Sequence, residues 1–242
     1  MAGPEPDKDD NRDLIDLFYE SLHLITLHYG LWFGETERKL GIERAIEIEG
    51  RVWPRVLDKL TSRLGTPDEA GTPAVLTGAG REQLEGLLVD MAKSWLAADG
   101  IWFQAVEQAA DGGMAVAKEI NDACWFRFSP IEARLIMKRL GLSENGGLAA
   151  LKTALGHRQY ALVNRQEIVE VSESRFVFRM NRCRVQLARK RAGMPEYPCK
   201  SAGVIEYRRF AETIDPRLRT VCLSCPPDPH PAEWYCAWEF SL

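Results

Sequence analysis

The sequence has no apolar run long enough to cross a membrane and no excess of basic charge. A membrane-spanning helix needs roughly 18 to 20 apolar residues, and no such run occurs among the 242 residues. The formal net charge of −4 argues against nucleic acid as a partner, because phosphates attract basic surfaces. Residues 1–12 are polar, contain two prolines and lack an apolar segment. They predict a disordered tail rather than a secretory signal peptide.

Cysteine is scarce in the first half of the chain. The first of the six cysteines is Cys124, and the other five lie beyond residue 180. Cys124 stands beside Trp125 in a helical pattern and is interpreted as a core residue. Because the sequence shows neither a secretory signal nor a membrane-spanning run, we expect a cytoplasmic protein, in which thiols stay reduced. The remaining cysteines then suit ligands or catalytic groups better than disulfides.

Apolar residues recur at helical spacing through residues 13–156. The first face carries residues at three- and four-residue intervals from Leu14 to Ile25. Gly41 is a natural helix end, and residues 65–80, rich in Gly, Pro and Thr, predict a connection. Ser129 followed by Pro130 predicts the start of a new helix, because serine caps a helix and proline suits its first position.

An internal repeat runs through this helical region. Gly30-Leu31-Trp32-Phe33 returns seventy residues later as Gly100-Ile101-Trp102-Phe103. Self-similarity at a fixed spacing indicates duplication, here of a helical hairpin covering residues 30–60 and 100–130. Two such hairpins would supply four helices able to share one core.

Residues 157–242 have a different pattern, typical of strands with one helix. Strands are predicted over 160–171, 175–186, 218–224 and 233–241, and a helix over 199–213. In the last strand Trp234, Cys236, Trp238 and Phe240 share one face, because side chains alternate. The fold class is therefore predicted as α+β, with the N-terminal helical region packed on a C-terminal antiparallel sheet that bears a cysteine-rich site.

Four cysteines of this region have the spacing of a metal site. Cys222 and Cys225 are separated by two residues, Cys236 follows eleven residues later, and Cys199 precedes Cys222 by twenty-three. Four thiolates suit a tetrahedral zinc ion or an iron–sulfur cluster. We therefore predict metal ligation by Cys199, Cys222, Cys225 and Cys236, while thiols without a metal and simple core packing remain open alternatives.

Several neighbouring residues suit catalysis or ligand binding. Cys199 follows Pro198 at a predicted helix start, where the helix dipole favours a thiolate nucleophile. Asp228 and His230 come directly after the cysteine pair and are predicted to transfer protons, and His230 also suits metal ligation. Cys183 is a candidate fifth sulfur. It lies between Arg182 and Arg184, which would share a strand face and are predicted to bind an anionic small molecule.

The sequence also resembles known families. MNRCRVQLARKR, PCKSAGVIEYRRFAETIDPR and CLSCPPDPHPAEWYCAWEF resemble an uncharacterised cytosolic family of anaerobic bacteria and archaea, and HYGLWF and DGIWFQAVE extend this likeness over nearly the whole chain. The ending, with CP-x-D followed by a cysteine on an aromatic strand, is similar to the L-2-amino-thiazoline-4-carboxylic acid hydrolase family and, more remotely, to the small-molecule-binding vinyl-reductase domain. The hydrolase likeness implies opening of a sulfur heterocycle, with Cys225, Asp228 and Cys236 at matching positions.

Three functional hypotheses follow. The first is an enzyme, a hydrolase acting on a small anionic molecule by metal-activated water or by Cys199 attack. The second is a non-catalytic binding or sensing protein with a structural four-cysteine site, and the third is an iron–sulfur redox protein. The expected partner is a small-molecule ligand of anionic character, and a homodimer is left open.

Overall fold

The computed structural model describes residues 11–64 and 78–242. Most of the predicted tail and of the predicted connection at 65–80 lies outside these residues. The chain divides into two compact units between Ala117 and Lys118. The described residues form eight helices and one four-stranded antiparallel sheet, which confirms the α+β class.

The described part of the first unit contains the long helices α1 (Arg12–Leu40), α2 (Ile42–Leu64) and α3 (Arg81–Ala109). Gly41 separates α1 from α2 with a φ of 84°, a backbone conformation that suits glycine. Trp32 and Trp102 of the repeat are buried, and their stacked ring centroids are 6.3 Å apart. Both tryptophans are therefore core residues.

The second unit begins within a long helix and ends with the sheet. Its helices are α4 (Met114–Leu140), α5 (Gly147–Gly156), α6 (Gln159–Val163), α7 (Arg184–Arg191) and α8 (Lys200–Ile214). Its strands are β1 (Arg165–Ser172), β2 (Arg175–Arg182), β3 (Arg219–Ser224) and β4 (Cys236–Ser241).

The predicted break at Ser129 and Pro130 is wrong, because α4 continues through both residues. Proline has no N–H for the helical hydrogen-bond ladder. The Ser129 hydroxyl donates to the carbonyl oxygen of Trp125 at 2.7 Å, so this side chain supplies a donor where the ladder is weakened. The serine is thus a back-bonding residue inside a helix rather than a cap.

The sheet has the strand order β1-β2-β4-β3. Cys236 pairs with Met180, and Trp238 lies between Phe178 and Cys222 on its two neighbouring strands. These side chains alternate toward one face, as predicted. A hydrophobic core joins that face to residues of α4, α5 and α8.

Three predicted strands are partly wrong. Residues 159–163 are helical, and the strand predicted to reach residue 186 ends at Arg182, where Cys183 caps α7. The turn into α7 is held because the backbone N–H of Arg184 donates to Asn164 Oδ1 at 2.8 Å. Arg182 and Arg184 therefore do not share a strand face. The last strand also begins at Cys236, so Trp234 precedes it.

No helix in the described ranges combines the length and the apolar character that crossing a bilayer requires.

Candidate functional site

Sulfur atoms from separate segments of the second unit meet at the start of α8. The Sγ atoms of Cys199 and Cys225 are 3.6 Å apart, although the residues are 26 positions apart in the chain. The Cys225 thiol is also hydrogen bonded to Cys236. Cys225 and Cys236 are buried, whereas Cys199 is half-buried. The structure therefore brings three of the four predicted ligand residues together.

The sheet positions Cys222 and Cys236. Both lie on the covered face, with Cys222 directly opposite Trp238 and Cys236 two residues earlier on the same strand. Pairing between β3 and β4 shifts register after Cys222. The chain then turns, and the backbone N–H of Asp228 donates to the carbonyl oxygen of Cys225 at 2.9 Å. Cys225 therefore lies just beyond the end of β3, near Cys222 and Cys236.

The first turn of α8 positions Cys199. Cys199 is the capping residue of this helix, and the N–H of Gly203 donates to its carbonyl oxygen at 2.8 Å. A Cβ atom at Gly203 would lie 2.8 Å from Cζ2 of Trp238 and 3.8 Å from Sγ of Cys225. The absence of a side chain therefore lets the helix pack directly on the tryptophan ring beside the sulfurs.

The pKa values of the cysteine thiols shift in different directions. The hydrogen bond from Cys225 lowers the pKa of Cys199, whereas the hydrogen bonds to Cys199 and Cys236 raise the pKa of Cys225. Cys199 is thus the preferred thiolate and Cys225 its proton donor. Burial raises the pKa of Cys183 to about 12 and the pKa of Cys222 to about 11, and the charges of Cys199 and Cys236 act on both residues. Several thiolates at this site would repel one another unless a cation joined them.

The described residues do not form a set of metal ligands. Among them, no group of three or more His, Cys, Asp or Glu side chains has the arrangement that could hold a metal ion. Cys183 and Cys222 lie near enough to interact electrostatically with Cys199. The metal site with Cys199, Cys222, Cys225 and Cys236 as ligands therefore stays a prediction.

An ion pair lies beside the sulfurs. Nζ of Lys200 is 3.0 Å from Oδ1 and 2.8 Å from Oδ2 of Asp228. This contact raises the pKa of Lys200, on which the charges of Cys222 and Cys225 also act. It lowers the pKa of Asp228. Asp228, a predicted proton-transfer residue, is therefore held as an ionised partner of Lys200.

His230 has different neighbours. Its Nε2 is 3.0 Å from Oε2 of Glu196 and its Nδ1 is 2.9 Å from the carbonyl oxygen of Pro231. Partial burial pulls the pKa of His230 down, but the hydrogen bonds to Pro231 and Glu196 raise it overall. With both ring nitrogens facing acceptors, the imidazolium form is favoured.

The two arginines predicted to bind an anion lie on either side of Cys183. Arg182 ends β2 and Arg184 begins α7, and both are exposed. The shared strand face on which the prediction depended is absent. Their role in ligand binding remains untested.

Gln186 is a site residue that the sequence did not reveal. It is buried, and its Nε2 lies 3.5 Å from Sγ of Cys199. The sequence around Gln186 predicts a strand, whereas the structure places Gln186 in α7, one helical turn after Cys183. A prediction of helix α7 from the sequence would have placed the side chains of Cys183 and Gln186 near one another.

A buried charge cluster was also missed. Nε of Arg158 donates to Glu132 at 2.9 Å, and its Nη1 lies 2.6 Å from Oε1 of Glu206. Glu206 precedes Tyr207, whose pKa is raised by burial and by the charges of Glu206 and Cys236. The partners of Arg158 are distant in sequence, so no local pattern indicates the cluster.

No curated protein and no solved structure matches the chain. A family model described as "Family of unknown function (DUF6125)" matches residues 77–242. This agrees with the resemblance to an uncharacterised family, while the organism range and the hydrolase likeness remain predictions. The match covers more than half of the sequence and includes every cysteine, so the chain belongs to the DUF6125 family.

Proposed function

We propose that the second unit binds a thiophilic metal, as zinc or as an iron–sulfur cluster, through Cys199, Cys222, Cys225 and Cys236. The observation that carries the proposal is the 3.6 Å separation of the Cys199 and Cys225 sulfurs. Zinc–sulfur bonds of about 2.3 Å at tetrahedral angles place ligand sulfurs about 3.8 Å apart. The two sulfurs are thus at nearly the separation that one shared zinc ion would require.

Electrostatics supports a cation at this position. Burial disfavours the thiolate forms of Cys222 and Cys183, whose pKa values are raised to about 11 and about 12. A divalent ion reverses this preference, because a coordinating thiol is deprotonated outright. Metal binding would therefore favour the deprotonated form of these buried thiols, because the charge of the cation would offset the charges of the thiolates.

A closed four-thiolate site favours a structural role for the metal, because a catalytic zinc keeps one open position. We therefore propose a binding or sensing protein, with a small anionic ligand as partner. Lys200 is a further candidate contact for the anion, because its ammonium group lies beside the sulfurs, where it pairs with Asp228. A ligand carboxylate would take the place of Asp228.

Metal analysis of anaerobically purified protein tests the proposal. We expect one zinc per chain, or a brown protein absorbing near 400 nm if a cluster is present. Cys199→Ser and Cys225→Ser should each lose most of the metal, whereas Cys124→Ala, a change at a buried cysteine of α4, should keep it. A metal-free wild type, or full metal content in both serine variants, would refute the proposal.

A second candidate is a hydrolase that uses Cys199 as a nucleophile. It is favoured by the position of Cys199 at the start of α8, where the helix dipole favours a thiolate, and by the hydrogen bond from Cys225 that lowers the pKa of Cys199. Incubation of metal-free protein with an aminothiazoline carboxylate, followed by thiol detection, would reveal ring opening. Loss of product with Cys199→Ser but not with Cys124→Ala would support this candidate over a structural site.

Other features remain proposals. We infer a reducing cytoplasmic location from the free thiols and a duplicated hairpin from the repeat. The repeated positions fall within α1 and α3, and each of these helices is followed by another long helix. This arrangement is what duplication of a hairpin would produce.

A further inference from the structure

The outer side of α2 carries four large apolar side chains in one stripe. Ile42, Ile46, Trp53 and Leu57 are 48%, 57%, 44% and 39% exposed. Their spacings of four, seven and four residues place them within about 60° around the helix axis. The core-facing side of α2 borders the stripe and contains Ala45, Ile48, Val52 and Val56, all buried.

The stripe is symmetric about its own midpoint. Ile42 and Leu57 lie equally far from the point between Glu49 and Gly50, and so do Ile46 and Trp53. A two-fold axis at this point would place Ile42 against Leu57 of a second copy. It would also place Ile46 against Trp53 of that copy. The spacing is therefore self-complementary, as an interface between identical subunits requires.

Gly50 lies next to the midpoint of the stripe along the helix, about 20° beyond its edge around the axis, and is exposed. Glycine is among the poorest helix formers, and a Cβ atom at this position would meet nothing within 4 Å. Packing within the chain thus gives no reason for the absence of a side chain. A close crossing of two helices does give one, since glycine lets backbones approach.

Charge favours the antiparallel arrangement. Before the midpoint, residues 44–49 contain Arg44, Glu47 and Glu49, whereas residues 51–57 contain Arg51 and Arg55 and no acid. An antiparallel pair places the acidic half of each helix beside the basic half of the other. A parallel pair would align like charges.

We propose that α2 is the surface through which two copies of this chain associate, antiparallel and centred on Gly50. Trp53 is the expected anchor, because tryptophan is enriched among residues that dominate binding. Its ring already packs edge-on against Tyr29, with centroids 5.9 Å apart. That contact holds the tryptophan in place while much of its surface stays exposed.

Sedimentation velocity of the full chain at concentrations up to about 100 µM, well above a micromolar Kd, tests this surface. Wild type should be dimeric. Ile46→Glu should raise the dimer Kd more than about 100-fold, because it buries two unpaired charges. Val171→Glu, a matched change of an exposed aliphatic residue of β1, should leave the Kd unchanged.

Gly50→Leu provides an independent variant. Leucine is a better helix former than glycine and has open space around it in the single chain. The variant should therefore keep or raise the melting temperature when monomeric, yet fail to dimerise. A monomeric wild type would overturn the proposal, as would dimers that survive both Ile46→Glu and Gly50→Leu or that are lost equally with Val171→Glu.

Discussion

Gln186 donates a hydrogen bond from Nε2 to Sγ of Cys199 across 3.5 Å. The same side chain brackets Tyr197, accepting its backbone N–H at 2.8 Å and donating to its carbonyl oxygen at 2.9 Å. One buried amide therefore fixes both the sulfur and the chain that leads to it. Such outer contacts orient metal ligands and tune their charge.

At the proposed metal site, replacing this amide should weaken metal binding without removing a ligand. Gln186→Leu is expected to lower zinc affinity about 10- to 100-fold, because the Cys199 thiolate loses its donor and the preceding loop loses its tether. Competition with a chromogenic chelator measures the affinity. Gln108→Leu, at an exposed glutamine of α3, is the control, and equal affinities in the two variants would contradict a positioning role for Gln186.

The metal-free protein should react with iodoacetamide selectively at Cys199. Its pKa is lowered by the hydrogen bond from Cys225, so half-maximal alkylation should occur below the ordinary thiol pKa of 9.0. Cys225→Ala removes that donor and should move the midpoint to higher pH. Mass spectrometry of the peptide containing Cys199 measures the rate. A midpoint that stays unchanged in Cys225→Ala, or that moves equally in Cys124→Ala, would argue against the shared proton.

The buried Arg158 should be required for stability. Its guanidinium lies between the carboxylates of Glu132 and Glu206. Arg158→Met is expected to lower the free energy of unfolding by about 3 to 5 kcal/mol, because two buried charges lose their partner. Urea denaturation measures the loss. Arg208→Met, at an exposed arginine of the same helix as Glu206, should change stability by less than about 1 kcal/mol, and a similar loss in both variants would contradict the assignment.

Asp215 should contribute stability that disappears in acid. Its carboxylate accepts hydrogen bonds from Arg217 Nη2 at 2.7 Å and from the N–H of Gly147 at 3.1 Å, which ties the end of α8 to the start of α5. The bond from Arg217 lowers the pKa of Asp215 from 3.8 to about 2. A lowered pKa means that this stability is full above pH 3.8 and is lost as the pH falls through about 2.

Asp215→Asn measures that contribution. The variant should unfold about 1 to 3 kcal/mol more easily at neutral pH, and the difference from wild type should shrink toward pH 2. Chemical denaturation at several pH values gives the comparison. Asp58→Asn on α2 is the exposed control, and a difference from wild type that does not vary with pH would exclude this carboxylate as the titrating group.

Local pattern predicted most of the fold. The alternation that ends in Cys236, Trp238 and Phe240 identifies a strand with one covered face, and the structure has that strand. The alternation could not reveal that residues 184–191 form a helix, because the strand pattern of β2 runs directly into it. The sequence around Ser129 also could not exclude a helix start there. A serine before proline gives the same local pattern whether it caps a helix or donates to a carbonyl oxygen four residues earlier within one.

The candidate site was predictable only where spacing carries information. Cys222 and Cys225 form a recognisable pair, and their neighbour Cys236 lies on an obvious strand face. Gln186 and Arg158 act through partners that are distant in sequence, and no local pattern encodes such contacts. These contacts form only when the helices pack in the folded chain, so the sequence alone does not indicate the roles of Gln186 and Arg158.

The position of α8 depends on one missing methyl group. At Gly203 even an alanine side chain would collide with the rigid indole of Trp238, so a larger residue would lift the front of the helix from the sheet. Cys199 sits four residues earlier and would move with it, whereas Cys225 and Cys236 would stay anchored. The residue at position 203 therefore controls how far Cys199 lies from Cys225 and Cys236, through the contact of its backbone with Trp238.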